Sequence, residues 1–314
     1  MAYDTGSATG PTQILDAFRV FAVANGWTQN RWAADGAGQT LSISKGSIYA
    51  NLRSIVNETL LSFNNRTGVL LNCSTGYDSG QPWTNQPGKC QRTNGTAVAV
   101  GAIGVTSSNT YHLFAASSPD LLVLVIEVSP GQFTWLHFGD LTKFGSWNGG
   151  ILFGGKDCID SFNNVVVTEN LCPTGGHQFA SALIHAEVDG SLLWRTVIAR
   201  DSAFWITGYQ AFGGFSNLHG SFTDTHYGFA GEWSIAAPNQ LNGVTPMIPM
   251  YVFAPRPSNY RSPLGYLPHL CYMRIDNYAP GETFSLGSEQ WMAFPTISKG
   301  GASGMNGFAV RKNG

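Results

Sequence analysis

Near the start of the chain, Ile14, Leu15, Phe18, Phe21 and Ala22 recur three and four residues apart, which places them on one face of a helix. Pro11 suits the first helical position, where no N–H is needed, and Asn25-Gly26 supplies a left-handed stop. The spacing predicts an amphipathic helix over residues 11–25, with Trp27 folded back onto its last turn. After that the period falls to two. Residues 41–44 and 48–52 alternate apolar and polar, and 69–71 adds a short apolar run. Residues 74–95 are rich in Gly, Pro, Ser, Asn and Gln and read as a long loop. The strongest strand signal is the apolar run at 121–128, followed by Pro130-Gly131 and an alternating stretch at 132–138. It predicts an antiparallel hairpin with Leu122, Leu124 and Ile126 on one face of a buried first strand. The second strand is expected to point alternately inward and outward.

Shorter strand-like runs follow at 165–168, 182–188, 192–199, 204–207, 251–253, 271–275, 290–294 and 308–311, separated by turn residues at irregular spacing. The expected fold is mainly β with a short N-terminal helix: an antiparallel β-sandwich or an irregular barrel with long loops. Residues 1–155 read as the helix plus a β scaffold. Residues 156–264 read as a loop-rich, aromatic β region, and 265–314 as a β segment completing the scaffold.

Composition narrows the classes. Only 11% of the 314 residues are charged, and the formal net charge is −2, so a basic face for nucleic acid is not expected. With 38 glycines and 15 prolines, long helices and coiled coils are excluded. The opening residues lack a basic stretch followed by an apolar run, and the longest apolar run, 121–126, is far short of the ~20 residues of a membrane helix. Synthesis in the cytoplasm is therefore expected, with Cys73, Cys90, Cys158, Cys172 and Cys271 as free thiols. Cys73 with Cys90, or Cys158 with Cys172, are candidates for contact rather than for a bond.

No nucleotide-binding loop, G-x-S-x-G elbow or H-E-x-x-H motif occurs. His185-Ala186-Glu187 begins like a zinc deaminase, but no P-C-x-x-C follows. His219, Asp224, His226 and Glu232 have ligand chemistry at short spacing, yet a loop with polar side chains in water accounts for them equally. Asp157, Asp160, Glu187 and Asp189 are carboxylates without a distinctive flank. The expectation is therefore no metal, no cofactor and no catalytic residue.

Residues 204–233 carry an unusual load of rings interleaved with glycine. Trp205, Tyr209, Phe212, Phe215, Tyr227 and Trp233 form a candidate interaction surface, with core packing, a protein interface and sugar stacking as the three readings. Tyr77, Trp83 and Trp147 lie in loop-like stretches and invite the same three.

Several strings together resemble a family. The opening Met1-Ala2-Tyr3-Asp4-Thr5-Gly6-Ser7-Ala8-Thr9 leads to Asn25-Gly26-Trp27, and Gly76-Tyr77-Asp78-Ser79-Gly80-Gln81-Pro82-Trp83 is followed by Gln86-Pro87-Gly88. Tyr111-His112-Leu113-Phe114-Ala115 precedes the hairpin, which leads to His137-Phe138-Gly139 and Gly149-Gly150. Ala279-Pro280-Gly281-Glu282, Leu286-Gly287, Trp291-Met292-Ala293-Phe294-Pro295 and Gly307-Phe308-Ala309-Val310-Arg311 close the chain. Over residues 1–155 and 265–314 this layout resembles virion structural proteins of tailed bacteriophages, of the tail-tip, baseplate or collar kind. The resemblance implies a particle component without catalytic residues, made in the host cytoplasm and located in the virion. Its partners would be copies of itself and other virion proteins. A receptor-binding module touching a host glycan or protein, and a virion-associated hydrolase, are the rival readings. Low charge and abundant glycine suit a surface largely covered by neighbours.

Overall fold

The computed structural model describes residues 1–60, 63–91, 97–159, 165–166, 182–196, 238–255, 261–296, 298–300 and 305–313. Along the chain, β1 (Ala2–Ala8) leads into α1 (Pro11–Ala24), and β2 (Thr28–Asp35), β3 (Gly38–Lys45), β4 (Ile48–Leu60) and β5 (Phe63–Ser74) follow. Then come β6 (Ala99–Ile103), β7 (Asn109–Ser117), β8 (Asp120–Ser129), β9 (Gln132–Gly139), β10 (Thr142–Lys143) and β11 (Gly149–Gly155). β12 (Asp157–Ile159) and β13 (Val165–Val166) are short, and β14 (Ala182–Val188) forms a hairpin with β15 (Ser191–Thr196). The chain ends with β16 (Ile248–Pro255), β17 (Arg261–Arg274), β18 (Thr283–Leu286), β19 (Glu289–Pro295) and β20 (Asn306–Asn313).

The strands make three antiparallel sheets. The first runs β13-β12-β6-β5-β4-β3-β2 and the middle one β1-β7-β8-β9-β11-β14-β15. The third runs β10-β17-β20-β19-β18, with β16 on the far side of β17. Among the described residues the protein is thus mainly β with one α-helix near its N-terminus, as the patterning predicts.

The middle sheet explains the apolar run at 121–126. Leu122, Leu124 and Ile126 share one face, as expected, and pack with Leu136 and Phe138 against the first sheet and α1. Leu121, Val123 and Val125 face the opposite core with Phe133 and Trp135, against Leu267, Leu270, Met292, Phe294 and Phe308 of the third sheet. β8 is therefore buried on both sides. β9 departs from the expected inward–outward alternation: seven of its eight residues, Phe133 to Gly139, are buried. A third layer covers the face that a two-layer sandwich would leave to water. The turn at Pro130-Gly131 falls where predicted, with Gly131 at φ 74.

α1 packs on its own core, not on a free surface. Ile14, Leu15, Phe18, Phe21 and Ala22 are buried between the first and middle sheets, each worth about 1.5–3 kcal/mol for the larger side chains. Its C-terminus closes as the sequence suggests. Gly26 N–H donates to Val23 O and Trp27 N–H to Ala22 O, the paired bonds of a Schellman stop, with Gly26 at φ 83. Trp27 then buries against the edge of Phe138, ring centroids 5.2 Å apart.

Several strands go beyond the sequence pattern. β1 carries Asp4, Gly6 and Ser7, a weak strand former held extended by in-register pairing with β7. β2 and the full lengths of β4 and β5 were likewise not marked by alternation. The 74–95 loop is confirmed over its described part, and it is a fixed structure. Gln86, 2% exposed, accepts from Asp78 N–H at 2.7 Å and donates to Asp78 O, Gln81 O and Pro82 O. Beneath it, Ser42 Oγ donates to Asn51 Oδ1, Asn51 Nδ2 to Ser74 Oγ, and Asn72 Nδ2 to Cys90 O and Val98 O. These polar groups lie on the outer face of the first sheet, buried under the loop and bonded except for Asn72 Oδ1.

In the stretch 156–264, β12 and β13 extend the first sheet, β14 and β15 the middle sheet, and β16 flanks the third. Cys73, Cys90 and Cys271 are buried, reduced thiols; Cys90 N–H donates to Cys73 O at 2.9 Å, so the expected contact is a backbone one.

Candidate interaction surface

Trp205, Tyr209, Phe212, Phe215, Tyr227 and Trp233 lie outside the described residues, as do His219, Asp224, His226, Glu232, Asp160 and Cys172. The chain enters that stretch from β15 and leaves it through β16, and these two strands touch. The border they form is itself aromatic and apolar. Tyr251 on β16 stands directly opposite Tyr266 on β17, ring centroids 6.1 Å apart. Phe144, just after β10, stacks on Tyr266 at 5.8 Å, lies 6.2 Å from the Tyr251 ring and is 42% exposed, so the three rings form a compact triangle. Met250, Val252, Leu264 and Leu267 on the same strands point into the core, so the three rings occupy the outer face.

The rung is fixed from below. Phe144 N–H donates to Leu264 O at 2.8 Å, Trp147 Nε1 donates to Leu264 O at 3.1 Å, and the Lys143 ammonium lies 4.6 Å from the Trp147 ring centre. Lys143 Nζ also donates to Gly149 O, which ties this corner to the middle sheet. Gly149 has φ 95, and a Cβ there would meet His185 O and the Leu192 side chain. Leu192 and Leu193 of β15 are 44% and 41% exposed. Phe144 in the third sheet region and Leu192 and Leu193 on β15 are thus exposed apolar side chains, with Tyr251 and Tyr266 partly exposed beside Phe144.

The other flagged rings are structural. Tyr77 donates to Asn30 O and lies under the Arg31 guanidinium, while Arg31 also donates to Gln81 O and Ser79 O. Trp83 covers the small cluster of Ile55, Leu70 and Ala99. Trp147 packs on the second core.

The titratable groups serve the scaffold. Asp157 accepts from Ile103 N–H in the first sheet, Glu187 accepts from Asn148, and Asp189 sits in the β14–β15 turn at φ 52. Among the described residues no three His, Cys, Asp or Glu side chains converge as metal ligands would. Burial raises the Cys271 thiol to about 12, with Glu289 adding to it, and raises Cys73 well above its usual value. Both are therefore poor nucleophiles. His112, between Tyr3 and Phe294, is lowered to about 4 by burial and then by Lys312. An open cleft of about 490 Å³ at the start of α1 is lined by Thr9, Thr12, Gln13, Asn57, Thr67 and Thr106. Its polar side chains bond one another: Gln13 takes the Thr9 N–H and hydroxyl, and Thr67 pairs with Asn57.

No protein-family model and no curated protein matches the chain.

The rings at 144, 251 and 266 are absent from the sequence expectations because each stands in a different run. Only the register of β10, β17 and β16 brings them into one cluster.

Proposed function

We propose that this chain is a non-enzymatic structural component of a tailed-phage particle, in the tail tip, baseplate or collar, assembling as a symmetric homo-oligomer. The observation that carries this reading is the partly exposed aromatic cluster of Phe144, Tyr251 and Tyr266 on the outer face of the third sheet. Contiguous apolar surface of this kind marks contact with a partner. Rings anchored by main-chain bonds bring contact area at low entropy cost. The resemblance of the terminal segments to virion proteins names the class of partner: copies of the chain and neighbouring particle proteins.

The test is mass spectrometry and immunogold labelling of purified particles that encode the chain. Labelling confined to one point of the tail or neck at a fixed copy number is expected. Its absence from washed particles overturns the proposal.

A second reading has its own observation. Three partly exposed rings in one cluster, 5.8, 6.1 and 6.2 Å apart, also suit stacking on a sugar, as in a receptor-binding module. Saturable binding of a host-surface polysaccharide that is lost in Tyr266→Ala would favour it over a purely structural role.

A further inference from the structure

β4 and β5 are longer than the sheet they belong to. β4 has 13 residues and β5 12, against 8 in β3 and 5 in β6. Pairing with β3 stops at Arg53, and pairing with β6 stops at Gly68. Beyond that, among the described residues, the two strands pair only with each other, Glu58 opposite Arg66 and Leu60 opposite Phe63. At about 3.3 Å per residue, Leu60 stands roughly 10 Å past Asn57. The root of this ribbon is pinned. Asn57, at φ 51, sits in a register shift, and its N–H donates to Thr67 Oγ1 at 3.0 Å. From the sheet, the Arg53 guanidinium donates to both Glu58 oxygens at 2.7 and 2.9 Å. Gly104 and Val105 N–H donate to Thr67 O. Past the root no described strand flanks the ribbon. A two-stranded ribbon on its own is marginal in water, and the last pair of this one is a leucine with a phenylalanine.

We infer that this ribbon is an arm by which one copy holds another, its Leu60–Phe63 end seated in the open cleft at the arm root of the neighbouring copy. This rests on the homo-oligomeric reading above and names its contact. The cleft suits an apolar, uncharged end. Pro11, Val56 and Val105 lie in its lining, and no charged residue does. The hydroxyls of Thr9, Thr12, Thr67 and Thr106 already bond within the chain, so an apolar occupant strands none of them. Arm end and cleft match in character but do not meet within one chain. Val56, Asn57 and Thr67 belong both to the cleft lining and to the arm root, and the strand pairing carries the end away from them. A second copy supplies the missing half to each. The same contact serves a closed pair of copies and a ring.

The experiment co-expresses two full-length chains with different tags, one carrying Asn64→Cys beside the arm end and the other Ser107→Cys in the cleft lining. They are oxidised with copper–phenanthroline and run without reductant. Light scattering is measured in parallel on the native chain, on Leu60→Lys and on Phe63→Lys. The expected result is a covalent dimer containing both tags, with none from either cysteine variant expressed alone. Each lysine variant should associate at least about tenfold more weakly, with unchanged melting of the subunit. Covalent dimers from one cysteine variant alone put like against like and overturn the seating. A native oligomer whose mass survives in both lysine variants, without the mixed dimer, overturns the arm contact and leaves the oligomer standing. A lowered subunit melting temperature in the lysine variants places the arm end in the core of its own chain and overturns the inference as well. A native chain that is monomeric at all concentrations overturns oligomer and arm contact together, and leaves only a different protein as the arm's partner.

Discussion

In β8, Leu122, Leu124 and Ile126 point into one core and Leu121, Val123 and Val125 into another. In β4 and β5, Ala50, Leu52, Leu71 and Cys73 point into the first core, while Asn51, Asn72 and Ser74 point away from it and are equally buried. The two regions solve one problem with different chemistry. The middle sheet covers its second face with a third sheet and fills the gap with apolar side chains. The first sheet covers its outer face with the 75–90 loop and fills the gap with hydrogen-bonded amides and hydroxyls. Alternation along a strand therefore reports the change of chemistry between faces, not which face meets water.

The largest effect that can break this comparison is a charge in β8. Leu124 is 1% exposed, and no cation lies in its cluster. Leu124→Asp is expected to cost more than about 4 kcal/mol, enough to exhaust most of the stability of an ordinary domain. Soluble expression and a cooperative melt within a few degrees of wild type would contradict the placement of β8 at the centre.

Next in size is the aromatic contact between α1 and β9. Phe138 touches both Trp27 and Phe18, at 5.2 and 5.9 Å between centroids. Phe138→Ala should lower stability by about 3–5 kcal/mol in urea titration, the range for deleting a buried ring. In the polar region, Asn72→Ala leaves Cys90 O and Val98 O without this donor. A smaller loss of about 1–3 kcal/mol is expected. If the asparagine costs as much as the phenylalanine, the polar face is a main source of stability rather than a satisfied covering.

Gln86→Ala tests the covering loop alone. The amide holds four main-chain groups of the loop and none of the sheet. Hydrogen exchange should quicken at Asp78 and its loop neighbours, with protection of β4 and β5 amides retained and a global cost of about 1 kcal/mol. Equal loss of protection in the sheet would mean that loop and sheet open together.

How much of this could be read from the chain follows the same division. α1 declared itself through Pro11, the apolar spacing and Asn25-Gly26, all local signals. The β8–β9 hairpin declared itself through a run of branched residues and one turn. The outward alternation expected of β9 failed because the cover comes from residues 261–310, more than a hundred positions away. β1 was missed because Asp4, Gly6 and Ser7 have no strand preference of their own; β7 imposes it. The aromatic cluster of Phe144, Tyr266 and Tyr251 depends wholly on register between strands distant in sequence. The rings that sequence did single out, Trp205 to Trp233, fall outside the described residues, so the cluster found at 144, 251 and 266 is a different set.

A single side chain separates the two polar solutions by pH. The amides under the loop do not titrate, whereas His112 does. It lies between β1, β19 and β20, facing the Tyr3 hydroxyl at 3.1 Å, the Thr5 hydroxyl at 3.3 Å and the Phe294 ring, with the Lys312 ammonium held over Tyr3. Burial, followed by Lys312, lowers its value to about 4 from the ordinary 6.5. The unfolded chain therefore binds this proton first. The stability tied to neutral His112 is complete above pH 6.5 and drains away as the pH falls from 6.5 to about 4. His185 and His269 are lowered by burial as well, and Asp140 is raised by it, so the acid limb of the native protein is a sum. The difference between native protein and His112→Gln isolates one member of that sum. Melting temperatures measured from pH 7.5 to 4 should fall less steeply in the variant, the curves converging toward pH 4. Asn72→Ala should instead shift the whole curve down without changing its slope. Parallel curves for His112→Gln would show that the imidazole is as well solvated in the folded chain as in the unfolded one. The seam between β1 and the third sheet would then be open to water, and the contrast between a titrating and a non-titrating polar region would disappear.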